Sequence, residues 1–489
     1  MTQRLRASDL ALLAEESAST PMHNATLEVF DPAGSGFDYR ALVELVDRRI
    51  AFVPRYRQVL RQVPGNLANP VWTDDPRFDL AFHVRRSALP QPGTMDQLRD
   101  LVGRIVSRVL DPHRPLWEMY LIEGLEGGRV AVLSKSHQIL VDGVQTVDLG
   151  QVLLDTSAEP KDLEHDDWQP RPMPSQLGLA VDAVTESVRR PRTLLATSRG
   201  AVARLAHNTD KARQRASLVA NALAGRRPAP ESPISGEVTG QRRLVMVRTV
   251  LEDYRTVRGA HGTSVNDVVL ATVTGALRNW LLARGTPSTA MRGLRAMVPM
   301  SVIDDDLEGT SLGTQVTPHQ VTLPIGEASP LVRLHQVSYA FKAHAETGRS
   351  VAANRLAGIA GFAPTTFHAL GSRVAAAAPR NSHLTITNVP GPQFPLYAAG
   401  ARMLETYPVQ PLLQGQTLAI GVTSYDGAVH YGITGDLDAL PDLPVLGQCI
   451  TEALEELVDN STGARQRAPR GRKKAAKPSA QDISRKGTS

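Results

Sequence analysis

Cysteine is nearly absent. Cys449 is the only one in 489 residues, which excludes an intramolecular disulfide and any cysteine-built metal cluster. Long apolar runs are missing as well. No stretch of 18 apolar residues occurs, so no membrane-spanning helix is expected. The opening MTQRLRASDLALLAEE is charged and has no apolar h-region, so no signal peptide is expected and the protein reads as cytoplasmic. No P-loop is present.

What is present suits a large α/β protein. Apolar residues make up 42%, enough for a sizeable interior, and the length calls for two domains or three. The net charge of +5 is unevenly spread. Residues 460–489 carry nine Lys/Arg against one Asp, so the rest of the chain is mildly acidic. A tail of Lys, Arg, Pro, Ser and Gly reads as a disordered, solubilising segment. Adhesion to anionic lipid or nucleic acid is the alternative, and the tail's lack of aromatic residues speaks against nucleic acid.

Strand-like and helix-like runs alternate along the chain. ATLEVFDP reads as a strand, DYRALVELVDRRIAFVPRYRQVL as a helix broken before Pro54, GRVAVLSKSHQIL as a strand and VQTVDLGQVLLDT as a helix. Residues 160–180 are polar and Pro-rich, 181–225 are helical in pattern, and RRPAPESPISGEVTG is rich in breakers. This predicts a first domain over 1–165, a linker over 166–235, a second domain over 236–459 and the tail over 460–489. The Arg-rich linker stretch Ser187 to Arg227 suits an exposed interdomain helix or one lying on anionic lipid. In the second half QRRLVMVRTV and HLTITNVPGP read as strands. SVNDVVLATVTGALRNWLLARG is a helix that Ser264 or Asn266 can cap. TLAIGVTSYDGAVHYGITGD predicts a hairpin turning at Asp426-Gly427. VLGQCITEALEELVD closes the fold as a helix with Cys449 on its buried side.

SKSHQILVDGVQ, residues 134–145, carries the most chemistry. Neighbouring side chains on a strand point to opposite faces, so His137 and Gln138 do not both face one site if the strand is regular. Asp142 and Gly143 suit a tight turn and a helix cap. One His and one Asp are too few for a metal site, and none is expected. On the residues alone, a buried His with a turn remains open beside an acid/base site.

Here the chain resembles the bacterial wax ester synthase/acyl-CoA:diacylglycerol acyltransferase family. The likeness is carried by SDLALLAEESASTPMHNATLEVFDP, RPLWEMYLIEGL, LSKSHQILVDG, SVNDVVLATVTGALR, VPMSV, the long TNVPGPQFPLYAAG to SYDG segment, and GDLDALPD, in the family's order over roughly residues 5–458. It implies two chloramphenicol-acetyltransferase-like domains of α/β class, each a mixed sheet flanked by helices, with a tunnel between them. It also implies acyl-CoA as co-substrate without a permanently bound cofactor. The acceptor would be diacylglycerol or a long-chain alcohol, and the product triacylglycerol or wax ester plus CoA. With such substrates, a peripheral place at the inner membrane or a lipid droplet is expected, and no nucleic-acid partner.

The family motif is His-His-x-x-x-Asp-Gly, and its second histidine is the general base. By position the first falls on His137 and the second on Gln138, while Asp142 and Gly143 match, Asp142 in an architectural role. Imidazole titrates near neutral pH and can take the hydroxyl proton; a carboxamide cannot store it. The resemblance therefore implies a weak or altered enzyme, or a silent homologue that binds acyl-CoA or lipid or scaffolds a partner enzyme. His137 is a possible substitute base, as are His113, His261, His319 and His383. The tunnel side would involve Asn266, Ser301, Asn388, Pro390 and Gly391. Pro115 and Trp117 would form a rigid turn and a buried ring. Ile303 and Thr314 depart from the family's usual Arg and Asn.

Overall fold

Runs rich in Val, Ile, Leu and Thr, separated by breakers, pair into two six-stranded sheets. The computed structural model describes residues 3–140, 149–159, 167–179, 181, 185, 232–287, 289–291, 293–303, 314–347 and 382–463. In chain order the strands are β1 (His23–Asp31), β2 (Gln58–Arg61), β3 (Val71–Asp74), β4 (Val84–Ala88), β5 (Trp117–Glu123), β6 (Val130–His137), β7 (Arg242–Val250), β8 (Arg295–Ile303), β9 (Thr314–Thr322), β10 (Leu384–Pro390), β11 (Tyr397–Ala398), β12 (Ala401–Val409), β13 (Leu418–Tyr425) and β14 (Ala428–Asp436). The first sheet runs β11-β12-β1-β6-β5-β4 and the second β7-β14-β13-β10-β8-β9, while β2 and β3 pair separately. Both large sheets are mixed. β4 is parallel to β5 in the first, and β10 is parallel to β13 and β8 in the second.

Helices cover these sheets. They include α1 (Ala7–Glu15), α2 (Tyr39–Arg49), α3 (Leu80–His83), α4 (Met95–Val106), α5 (Leu149–Val152), α6 (Leu251–His261), α7 (Val265–Ala283), α8 (Pro330–Thr347) and α9 (Leu443–Thr462). α4 starts at a capping box of Thr94 and Gln97 and buries Leu98, Val102, Ile105 and Val106 at helical spacing. These pack with Leu27, Ala131 and Leu133 on one face of the first sheet. α1 and α2 supply Leu12, Leu42 and Val46 to the cluster that holds Phe30, Leu121 and Val132 of its other face. α7 is capped by Ser264 with Asp267 and is buried on nearly all sides. It packs against α8 and α9 in the core of the second sheet with Trp280, Tyr254, Tyr431 and Ile450. Cys449 is buried in α9.

The sheets do not divide where the chain divides. Tyr397–Val409 come late in the sequence, within the stretch expected as the second domain, yet β12 pairs antiparallel with β1, Ala25 meeting Val409. The contact is close. A Cβ on Gly432 of β14 would lie 1.8 Å from the Pro408 carbonyl oxygen, so only glycine fits. A second junction joins α4 to β7, where the Arg242 N–H donates to Ser107 Oγ at 2.9 Å and Leu244 and Met246 enter the α4 cluster.

Local expectations met particular corrections. The helix expected from residue 38 with a break before Pro54 already ends at Arg49; 3-10 turns follow on both sides of the break, and residues 58–61 form β2 because they pair with β3. The motif strand stops at His137, and Gln138–Leu140 form a 3-10 turn. Asp426-Gly427 turns the β13–β14 hairpin with φ of 44° and 80°. Most of the linker and all of the tail beyond Gly463 lie outside the described residues. The described stretch 167–179 packs on the first half, with Trp168 edge-on to Phe78 and the Arg171 N–H on Asp74.

Candidate active site

β6 sits between β1 and β5 and is buried along its length. His137 lies opposite His23 of β1, and its N–H donates to Leu116 O at 2.9 Å. Gln138 keeps the register for one more rung, its N–H bonded to Met22 O at 3.0 Å. Its side chain is fully buried, and neither Oε1 nor Nε2 has a hydrogen-bond partner. Asp142 and Gly143 lie outside the described residues.

The bonds of His137 fix its tautomer. Nδ1 accepts from the Ile139 N–H at 3.2 Å, so the proton sits on Nε2, which faces Glu16 Oε2 at 3.5 Å. No lone pair of the neutral ring is left over. Burial alone would raise the Glu16 pKa. The approach of His137, the Met22 N–H and Lys135 outweigh it and hold the carboxyl below its ordinary value. His23 has the same tautomer, fixed by donation instead. Its Nε2 donates to Val106 O at 2.9 Å, leaving Nδ1 without a partner. Burial and the nearby charges of Lys135 and Arg242 hold this ring well below the usual imidazole pKa. His23 lines a cavity of about 10 Å³ with Val106, Arg242, Val409, Gln410 and Thr434, where both halves meet.

Alternation sorts the polar residues of the strand pair. His23, Lys135 and His137 share one face. Lys135 Nζ donates to Ile105 O and Arg108 O at the end of α4. Asn24 lies opposite Ser136 on the other face, with Ser134 two residues back. Ser136 Oγ is within 3.2 Å of Tyr56 Oη, whereas Ser134 Oγ and both amide atoms of Asn24 have no partner.

The other expected residues sort into clear groups. Trp117 is a buried ring, stacked on His83 at 4.6 Å with its indole N–H on Tyr56 O at 2.7 Å, and Pro115 is buried beside it. Asn266 is not the helix cap; its Oδ1 accepts from Asn388 Nδ2 at 2.9 Å, so these two come together from α7 and β10. Pro390 ends β10, and the Gly391 N–H donates to Ser424 Oγ. Ser301 and Ile303 sit on β8 opposite Val316 and Thr314 of β9. Of the other histidines, His113 is exposed in a turn, and His261 meets Ser461 and His335 at the far ends of α6 and α9. His319 stands against Phe341, and His383 Nδ1 accepts from the Arg295 N–H.

Sequence reasoning missed Asn24, Ser134, Glu16, His23 and His430. A signal existed for the strand residues: HN and SKS are polar inside strands that are otherwise apolar and buried. His430 is fully buried on β14 opposite Thr423, and both ring nitrogens and the Thr423 hydroxyl lack partners. Burial and Arg248 push its pKa down to about 3, so the ring is neutral.

A model of the wax ester synthase/diacylglycerol acyltransferase catalytic domain matches residues 5–269, and one of the C-terminal domain of the same family matches residues 312–458. The chain belongs to the wax ester synthase/diacylglycerol acyltransferase family. Among Mycobacterium tuberculosis relatives, a probable diacylglycerol O-acyltransferase, tgs3, is 41% identical over 263 residues, which is 53% of this chain and 97% of that protein. Another, tgs2, is 32% identical over 476 residues, covering 92% of this chain and 97% of the relative. The solved wax ester synthase/diacylglycerol acyltransferase from Marinobacter aquaeolei VT8 superposes with a TM-score of 0.65 at 26% identity, covering 94% of this chain and all of that one. The first condensation domain of the CDA synthetase shares the fold, with a TM-score of 0.52 at 13% identity over 94% and 97% of the two chains. Among the described residues no three His, Cys, Asp or Glu side chains gather as a metal set.

Proposed function

We propose that this chain moves an acyl group from acyl-CoA to the hydroxyl of diacylglycerol or a long-chain alcohol, giving triacylglycerol or wax ester and free CoA. What supports the reading is that both halves match the family; a fully buried, unpartnered carboxamide stands where the motif is expected to carry its base. The hydroxyl oxygen attacks the thioester carbonyl, the C–O bond forms and the C–S bond breaks. The hydroxyl proton ends on the CoA thiolate. Gln138 can hold the hydroxyl, donating through Nε2 or accepting at Oε1, but it stores no proton. Positioning and the activated thioester remain, so turnover is slow but real. The substrates are insoluble in water and the segment 464–489 is basic, which supports peripheral attachment to an anionic membrane or lipid-droplet surface.

The test is CoA release from acyl-CoA and diacylglycerol by the wild-type chain beside Gln138→His. General-base catalysis contributes about 10²–10⁴-fold, so the substitution is expected to raise the rate by a factor in that range. Equal, measurable rates from both proteins would remove position 138 from the chemistry. A second reading, a silent homologue that binds acyl-CoA or lipid or scaffolds a partner enzyme, is favoured by Gln138 together with the occupied lone pair of His137. It expects acyl-CoA binding without turnover in either protein.

A further inference from the structure

Three side chains on one face of the β1–β6 pair hold polar atoms with nothing to bond. Ser134, Ser136 and Gln138 are spaced by two, and Asn24 stands directly opposite Ser136, diagonal to both of the others. Ser136 is engaged by Tyr56. Five atoms remain without partners: Asn24 Oδ1 and Nδ2, Ser134 Oγ, and Gln138 Oε1 and Nε2. Their residues are 7%, 9% and 0% exposed. Buried polar groups are nearly always bonded, so this cluster has free capacity to bond a ligand. Its chemistry is specific. The groups are neutral amides and a hydroxyl, offering several N–H and O–H donors, and the same face carries Leu121, Val132 and Met119. Neutral carbonyl oxygens attached to apolar chains match that set.

Resting on the acyl-transfer reading above, we propose that Asn24 and Ser134, together with Gln138, read the ester carbonyls of diacylglycerol and so select it over a simple long-chain alcohol. Diacylglycerol brings two ester carbonyls and a hydroxyl to the strip. A fatty alcohol brings one oxygen and leaves most of the buried donors unbonded. Sites built to hydrogen-bond a substrate reject analogues that lack the matching group.

The experiment measures kcat/KM of the full chain with palmitoyl-CoA and either 1,2-dioleoylglycerol or 1-hexadecanol, presented in the same mixed micelles. The ratio of the two is independent of how much of each preparation is folded. The wild-type chain is expected to favour dioleoylglycerol by roughly tenfold or more, and Asn24→Leu/Ser134→Ala to narrow that ratio at least about fivefold. Ser134→Ala alone removes one oxygen and is expected to narrow it by about threefold, which serves if the double variant does not fold. A ratio unchanged in variants that turn over, or a wild-type preference for hexadecanol, overturns the proposal and leaves the acyl-transfer reading standing. No turnover by wild type with either acceptor overturns both.

Discussion

Protons at the end of β6 are held in distinct ways within one strand pair. His137 keeps its proton on Nε2 because Nδ1 is taken by the Ile139 N–H, and His23 keeps its own on Nε2 because Val106 O accepts it. Lys135 is charged yet buried, its pKa pushed down to about 8 by burial against the opposing pull of Glu118. A free lysine titrates near ~10.4. Between those values the unfolded chain binds more protons than the folded one, so Lys135 makes stability rise with pH from about 8 to about 10.5, by up to ~3 kcal/mol. Below that window the group is charged in both states and adds no slope. Urea denaturation across this range is expected to show the rise in wild type and a flatter profile in Lys135→Met. Matching slopes would mean that Lys135 titrates normally. At this scale the sequence points to Gln138 only by counting along the motif. The orphaned Asn24 and Ser134 were not legible, because a polar residue's partners depend on the cross-strand register, which lies more than a hundred residues away in sequence.

Elements were read best where the pattern is long and local. The β13–β14 hairpin and α7 with its Ser264 cap follow from turn and capping chemistry alone. The overlong helix beginning after Asp38 was misread at its far end, because Gln58–Arg61 take strand form only by pairing with β3. Close approach of elements was invisible in sequence for the same reason. It can be tested at Gly432, where a methyl group would run into the Pro408 carbonyl. Gly432→Ala is expected to destabilise the protein by about 2–3 kcal/mol or more. Gly259→Ala, on the exposed face of α6 with nothing within 4 Å, is expected to stabilise it by about 0.5–1 kcal/mol. Chemical denaturation of both variants gives the contrast. Similar midpoints would mean that β12 does not press on the second sheet as described.

For the whole molecule, composition and motif order indicated an α/β protein in two halves, but not that the second half lends β11 and β12 to the first sheet. Among the described residues no helix is long and apolar enough to cross a membrane. α9 runs to Thr462 and ends at Gly463 with φ of 69°, which makes Gly463 the natural cut. A chain truncated there is expected to lose binding to anionic phosphatidylserine vesicles while keeping its CoA release in detergent micelles. Undiminished sedimentation with vesicles would move the attachment to the body of the protein.

The pairing of β1 with β12 also sets an order of events during synthesis. β1 emerges from the ribosome early, but its neighbour on one side arrives only when residues 401–409 have been made. Until then the first sheet has an open edge beside the newly formed β6 pairing, able to accept a strand from another chain. Long-range pairing of this kind is slow to form and exposed to aggregation. The protein is thus expected to depend on chaperones, or on slow growth, for its yield, whatever its final stability.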